Sequence, residues 1–181
     1  MTGCRANSLT IYGQSIGGAV GNLVVDAGVH GIQNFSNLTI HGGNITVESK
    51  KDGINEAAVT IYGGKLSISA EGLAIDTGSR KNMTGYGGEV NAISKIFIGI
   101  NVGDVDGTLT VYGGKVSAQG GEGYPAIQGK FKAGVDTGIG FFGCNDNVSW
   151  TTITNTPTTA TTSEFKYFHA GVEAPTPPIE E

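Results

Sequence analysis

One ten-residue phrase recurs along this chain and constrains the fold more than any other feature. The phrase TIYGGKLSIS occupies residues 60–69, and related copies begin at Leu9, Leu38 and Leu109. The spacing is about 29 residues from Leu9 to Leu38 and about 21 residues from Leu38 to Val59. From Val59 to Leu109 it is about 50 residues, roughly two such units. A recurring phrase at this period is typical of a stacked repeat architecture.

Within each copy, apolar residues alternate with polar ones on both sides of a glycine pair. In the clearest copy, Val59 and Ile61 come before the glycines at 63–64, and Leu66 and Ile68 come after them. Alternation with a period of two predicts β-strands. Glycine has no Cβ and allows the backbone to bend or to take a positive φ, so we expect each glycine pair to form a corner between two strands.

A further shared segment follows each pair of strands and supplies a third side. It occurs at residues 28–32, 52–54, 71–75 and 122–127. Three short faces in about 20 residues, without any 3.6-residue pattern, predict an all-β right-handed parallel β-helix whose coils stack about 4.8 Å apart. A β-sandwich also has short alternating strands, but it would not repeat the same words at a coil-length period.

The copies predict about six coils, two of them weak. We assign the strand of the coil missing between Val59 and Leu109 to Lys95–Gly99, and a degenerate last copy to Ile139–Gly143. The sequence therefore predicts β-helix repeats over 1–145, capping strands over 146–170 that form a hairpin, and a Pro-rich tail or linker over 171–181. Trp150 is expected to be a residue of the cap, with a ligand platform as the alternative.

Composition excludes two classes of function. Only 15% of the residues are charged and the net charge is −5, so no basic patch supports nucleic-acid binding. No apolar run approaches the length of a membrane span, which argues against membrane insertion.

A β-helix that begins directly with a strand exposes an open end, so we expect the chain to be part of a larger surface protein.

The two cysteines are expected to be free thiols. Cys4 and Cys144 lie in the first and last predicted coils. Six stacked coils would separate them by about 20 Å, well beyond the roughly 7 Å between Cα atoms that a disulfide allows. No Cys and His pairs occur at the spacing of zinc ligands.

Stacking turns the residue before each glycine corner into an external row. The predicted rungs are Tyr12, His41, Tyr62, Ile98, Tyr112 and Phe142. An aromatic row could serve as a platform for the apolar faces of sugar rings, with Tyr12, His41, Tyr62 and Tyr112 as the binding residues. In the structural alternative, neighbouring rings stack on one another and shield the sheet, each pair contributing about 0.5–1.5 kcal/mol.

Acidic residues recur at the third side. Asp52, Glu71 and Glu122 each come immediately before a glycine, so we expect Asp52 and Glu71 to lie on consecutive coils. Carboxylates about 4.8 Å apart repel by roughly 1–3 kcal/mol unless they splay into water or share a cation. Calcium suits carboxylates together with backbone carbonyls. The candidate metal ligands are Asp52, Glu71, Asp76, Asp104 and Asp106, with solvated turn acids as the alternative.

Two stretches carry a resemblance to a known family. They are GNITVESKKDGIN at 43–55 and VTIYGG at 59–64. The chain resembles the secreted β-helix carbohydrate-binding proteins of clostridia and related gut bacteria, over about residues 23–127. The resemblance implies an extracellular protein that binds pectin or cellulose and carries calcium at acidic corners. The acid of the family's Asp-Gly-Ile words falls on Asp52, whereas the first coil departs from the pattern with Ala27 at that place.

The expected function is a non-catalytic, extracellular carbohydrate-binding module that recognises polysaccharide on one face, with calcium as a candidate cofactor. The alternative is a structural spacer or adhesin segment of a larger bacterial surface protein, joined to other domains. A polysaccharide lyase or hydrolase is the third class. Arg5 and Arg80 are the only arginines and neither joins an acidic cluster on a predicted strand, so we do not expect an enzyme.

Overall fold

The computed structural model describes residues 1–13, 20–103, 106–147, 149–153 and 165–175. These residues form strands and turns, and no helix that could span a membrane occurs among them. The strands wind into coils with three faces. The first two faces belong to one hydrogen-bonded sheet and the third face forms another.

The strands divide among the faces as follows. The first face holds β1 (Cys4–Ile11), β3 (Ile32–Ile40), β5 (Ile54–Asn55), β8 (Ile75–Asp76), β11 (Ile100–Val102) and β14 (Ile127–Ala133). The second face holds β6 (Ala58–Ile61), β9 (Met83–Gly85) and β12 (Thr108–Val111), flanked by the second halves of β3 and β14. The third face holds β2 (Asn22–Ala27), β4 (Asn44–Ser49), β7 (Lys65–Ala70), β10 (Glu89–Ser94) and β13 (Lys115–Gln119), followed by β15 (Gly140–Cys144), β16 (Thr151–Thr152) and β17 (Tyr167–Gly171).

Parallel pairing in register stacks like residues on top of one another. On the third face, Ile45 pairs with Leu66, and Leu66 pairs with Val90 in the next coil. All three side chains are at most 2% exposed. Burying each of them contributes about 1.5–3 kcal/mol, and the alternating polar residues face outward. The predicted all-β parallel β-helix is therefore confirmed, but it has about five turns where the sequence predicted about six coils.

The fourth coil is not where the sequence placed it. The prediction assigned its strand to Lys95–Gly99, which was wrong: Ile96 and Phe97 lie in a turn, 52% and 43% exposed. The coil is formed by β9 and β10, residues 83–94. On the third face, Val90 and Ala92 point inward and fit between the coils above and below. Their side chains are smaller than those of Ile96 and Phe97, which made the hydrophobic signal of this strand weaker.

The C-terminal end is closed by antiparallel strands. The prediction of Ile139–Gly143 as a last parallel copy was wrong, since β15 runs antiparallel to β17, and β17 runs antiparallel to β13. The predicted hairpin of capping strands is partly outside the described residues, and its described part is rearranged, with β16 paired to β15. Phe131, Phe141 and Phe168 form an aromatic plug, with ring centroids 5.0–5.9 Å apart. The boundaries 1–145, 146–170 and 171–181 remain predictions.

Both cysteines are free, as predicted. Cys4 is half-buried in the first coil and Cys144 is buried in the cap.

Candidate functional site

Five aromatic side chains form a continuous stack along the corner between the second and third faces. Neighbouring ring centroids are 4.9–5.0 Å apart and the ring planes differ by only 5–8°. We call this stack the aromatic ladder; its rungs are Tyr12, His41, Tyr62, Tyr86 and Tyr112. It brings together the four binding residues predicted from the sequence.

The backbone ladder sets the spacing of the rings. The N–H of Tyr62 donates to the carbonyl of Ile40 in the preceding coil at 2.8 Å, and the N–H of Tyr86 donates to the carbonyl of Ile61 at 2.8 Å. Each rung therefore lies one strand spacing above the last. At this spacing, rings that share a rotamer stack with an offset, which is a favourable arrangement for aromatic pairs.

Tyr86 was missed, and two predicted rungs were wrong. Ile98 belongs to the turn after β10, and Phe142 lies in the antiparallel cap, with its ring 6.3 Å from that of His169. The sequence does hold the signal for Tyr86: the word Tyr-Gly-Gly at 86–88 repeats the words at 62–64 and 112–114.

The second glycine of each corner is held in the left-handed region. Its φ is +92° at Gly43, +84° at Gly64, +80° at Gly88 and +77° at Gly114. A Cβ at Gly64 would come within 2.5 Å of the carbonyl oxygen of Gly43 in the coil below. Both the backbone conformation and the close stacking of coils therefore require glycine at this position.

The ladder presents ring edges to the solvent. Tyr12 is 69% exposed and Tyr112 is 43% exposed, with Tyr62 and Tyr86 between these values. Within the stack each ring face meets the next ring, and a Cβ at Gly134 would overlap the ring of Tyr112. Edges and hydroxyl groups are therefore what the inner rungs offer to a ligand. Beside the first two rungs lies a cleft of about 570 Å³, lined in part by His41, Asn44 and Lys65.

The structure does not bring the predicted acidic residues together. Ser49 pairs with Ala70, which places Lys50 level with Glu71, and the Nζ of Lys50 lies 2.7 Å from the Oε1 of Glu71. This hydrogen bond and the adjacent positive charge hold the pKa of Glu71 below its usual value, and the same pairing raises the pKa of Lys50. The alignment of Asp52 with Glu71 was wrong.

Asp52 lies in the turn between β4 on the third face and β5 on the first face, where several groups hold its carboxylate. Its Oδ1 accepts a hydrogen bond from the N–H of Leu73 at 2.9 Å, and its Oδ2 accepts one from the amide of Asn55 at 2.9 Å. The Nδ1 of His30 lies 3.1 Å from the same Oδ2. The carboxylate of Asp52 therefore links its own coil to the next one by a hydrogen bond.

The remaining predicted metal ligands lie apart. Asp76 accepts from the N–H of Gly78 at 3.0 Å and from the amide of Asn101 at 2.9 Å. Asp106 lies 3.8 Å from the Nζ of Lys130, and Asp104 is outside the described residues. In the part of the chain that the structure describes, no three His, Cys, Asp or Glu side chains form a group that could hold a metal ion. Calcium binding thus stays a prediction.

Comparisons with known proteins add no assignment. No protein-family model, curated protein or solved structure matches this chain. The resemblance to carbohydrate-binding β-helix proteins therefore stays a prediction based on the repeat words.

Proposed function

We propose that this chain is a non-catalytic, extracellular module that binds polysaccharide along the aromatic ladder. The observation that supports it is the exposed row of Tyr12, His41, Tyr62, Tyr86 and Tyr112, repeated at one coil spacing. A linear polysaccharide is also a one-dimensional repeat of hydroxyl groups and apolar patches. Weak contacts at successive rungs then add up through multivalency, so no single rung needs high affinity.

The mode of contact follows from the stacking. Because the inner ring faces are occupied by neighbouring rings, a sugar ring cannot lie flat on Tyr62 or Tyr86. The bound chain instead lies along the axis of the coils, and its hydroxyls exchange hydrogen bonds with the tyrosine hydroxyls at the ring edges. The cleft beside Tyr12 and His41 gives the ladder a concave end where more of a ligand is enclosed.

Affinity electrophoresis in gels that contain pectin, xylan or cellulose tests the proposal, each with and without a chelator. We expect retardation on at least one polymer. The triple variant Tyr62→Phe, Tyr86→Phe, Tyr112→Phe keeps the rings and their stacking but removes three hydroxyls, so we expect it to migrate as in a polymer-free gel. Tyr124→Phe is the matched control, because Tyr124 is 40% exposed and packs against Phe97 away from the ladder.

Absence of retardation on every polymer would refute polysaccharide binding along the ladder, and so would equal retardation of the triple variant and the parent chain. The chelator arm tests calcium separately: a loss of retardation on chelation would support a bound ion.

The second candidate is a structural spacer or adhesin segment of a larger cell-surface protein, which the mutual stacking of the rings favours. Here the ladder serves stability alone, and the coils provide length. In that case Tyr62→Ala lowers the free energy of unfolding and leaves migration in every gel unchanged. Both candidates are non-catalytic: Asp52 and Asp76 hold neighbouring backbone N–H groups, which supports a structural use of these carboxylates.

A further inference from the structure

A second cavity lies at the opposite edge of the third face from the ladder. Its volume is about 280 Å³, close to the lower end of the range of about 300–1,000 Å³ for small-molecule sites. It is lined by residues of β10, β13 and β17, together with Asn147 and Trp150. The polar and aromatic side chains of its lining include Asn91, Ser117, Gln119, Asn147, Trp150 and Tyr167.

The register explains why polar groups gather there. Ser117 pairs with His169 and Gln119 pairs with Tyr167 across the antiparallel junction of β13 and β17. Asn91 pairs with Ser117 in the parallel direction. Residues that are paired in this way point to the same side of a sheet, so their side chains meet on the outer surface beneath Trp150.

One donor in this region lacks an acceptor. The Nε1 of Trp150 is fully buried and has no hydrogen-bond partner among the described residues. A buried indole N–H usually finds a partner, because an unpaired buried donor is costly. The described residues therefore supply no acceptor oxygen for this indole, and a hydroxyl of a ligand could take that place.

Ser117 is fixed in position by a buried histidine. The Nδ1 of His169 lies 2.9 Å from the Oγ of Ser117, and the Trp150 ring packs edge-on against the imidazole at 6.3 Å. His169 is only 6% exposed. Burial, together with the nearby charge of Lys115, lowers the pKa of His169, so the imidazole is neutral at neutral pH. The serine hydroxyl keeps further hydrogen-bonding capacity toward the cavity.

The lining selects the class of ligand. The described residues around the cavity include amides, a hydroxyl and aromatic rings, but no Asp, Glu, Lys or Arg. Among these described residues a phosphate or carboxylate ligand would find no counter-charge, and an ammonium group would find no carboxylate. A neutral ligand with several hydroxyls and an apolar ring face matches both the amides and the aromatic walls.

We propose that this cavity binds one neutral sugar unit, with Trp150 and Tyr167 against the apolar part of the sugar and Asn91, Ser117 and Gln119 hydrogen-bonded to its hydroxyls. The site uses none of the ladder residues, so it stands whether or not polysaccharide binds along the ladder.

Trp150 provides a direct assay, since it is the sole tryptophan of the chain. Its fluorescence in the full chain is titrated with glucose, galactose, xylose and cellobiose, and with sorbitol as a polyol that has no ring. We expect a saturable change with at least one of the ring sugars and none with sorbitol. Asn91→Ala and Ser117→Ala should each weaken that sugar by about tenfold, the effect of losing one hydrogen bond.

Ser67→Ala is the matched control, because Ser67 pairs with Asn91 in the same outward row but does not line the cavity. It should leave the titration unchanged. The proposal is overturned if no ring sugar gives a saturable change, if sorbitol gives the same change, or if Asn91→Ala binds as tightly as the parent. Circular dichroism identifies any variant that has lost its fold. If Ser117→Ala is unfolded, the sugar affinity of Asn91→Ala alone tests the proposal. The ladder triple variant should titrate normally, which separates the two proposals.

Discussion

Removing a ring from the middle of the aromatic ladder should cost more than removing one from its end. Tyr62 stacks on two neighbours, His41 at 4.9 Å and Tyr86 at 5.0 Å, whereas Tyr12 stacks on one described ring at 4.9 Å. At about 0.5–1.5 kcal/mol for each pair, Tyr62→Ala loses about 1–3 kcal/mol of stacking and Tyr12→Ala about half of that. Lost burial acts in the same direction, because Tyr62 is 49% exposed and Tyr12 69%.

The pairwise origin of this cost can be measured by double-mutant cycles. Urea unfolding followed by circular dichroism gives the free energy of unfolding of each variant. Tyr62→Ala combined with Tyr86→Ala should show a coupling of about 0.5–1.5 kcal/mol, because these rings are in contact. Tyr62→Ala combined with Tyr112→Ala should be nearly additive, because Tyr86 lies between them.

Two results would contradict pairwise stacking in the ladder. If Tyr62→Ala and Tyr12→Ala destabilise the chain equally, the neighbouring rings contribute no stacking energy. If the separated pair couples as strongly as the adjacent pair, the effect is a general loosening of the coils, which conflicts with the nearest-neighbour energetics expected of a solenoid.

Three further predictions concern single positions. Gly64→Ala should lower the free energy of unfolding by about 1–3 kcal/mol from backbone strain alone, because its φ is +84°, and urea unfolding measures the loss. Asp52→Ala should cost about 1–3 kcal/mol in the same assay, since the N–H of Leu73 loses its acceptor, whereas Asp52→Asn should recover part of this. The folded-state pKa of His169 is lowered, so the unfolded chain binds the proton first; the melting temperature should fall as the pH drops below about 6.5, with a smaller slope in His169→Gln.

The glycine corners were predictable because their geometry leaves few alternatives. A positive φ and a carbonyl oxygen 3.0 Å or less from the added Cβ restrict Gly43, Gly64, Gly88 and Gly114 to glycine, so the pair recurs wherever a coil turns into the third face. The strand of the fourth coil was not predictable from hydrophobicity. Inside a solenoid, the coils above and below decide which side chain fits, and Ala92 is fully buried between Ile68 and Ala118.

The predicted alignment of the acidic residues was wrong because it was anchored on a position that does not fix the register. Matching each acid to the glycine after it places Asp52 with Glu71, but the hydrogen-bonded register follows the buried isoleucines, Ile54 with Ile75. Counting back from these, Ala74 stands level with Gly53, so glycine does not recur at this position in every coil and cannot anchor an alignment. Alignment on the core residues alone would have placed Glu71 beside Lys50 and predicted their ion pair.

The ladder shows why a row whose tyrosine and histidine rungs were mostly predicted can still be misinterpreted as a platform for sugar rings. Strand pairing spaces the rungs at 4.9–5.0 Å, about the distance at which aromatic rings contact each other, so nothing as thick as a sugar can enter between them. The strand pairing that creates the row therefore also places a neighbouring ring against each face of an inner ring. What distinguishes tyrosine from phenylalanine at Tyr62, Tyr86 and Tyr112 is then the hydroxyl alone, which stacking does not use. A row that serves stacking alone would tolerate phenylalanine at these positions. The gel migration of the triple Tyr→Phe variant therefore tests whether the hydroxyls contribute to binding.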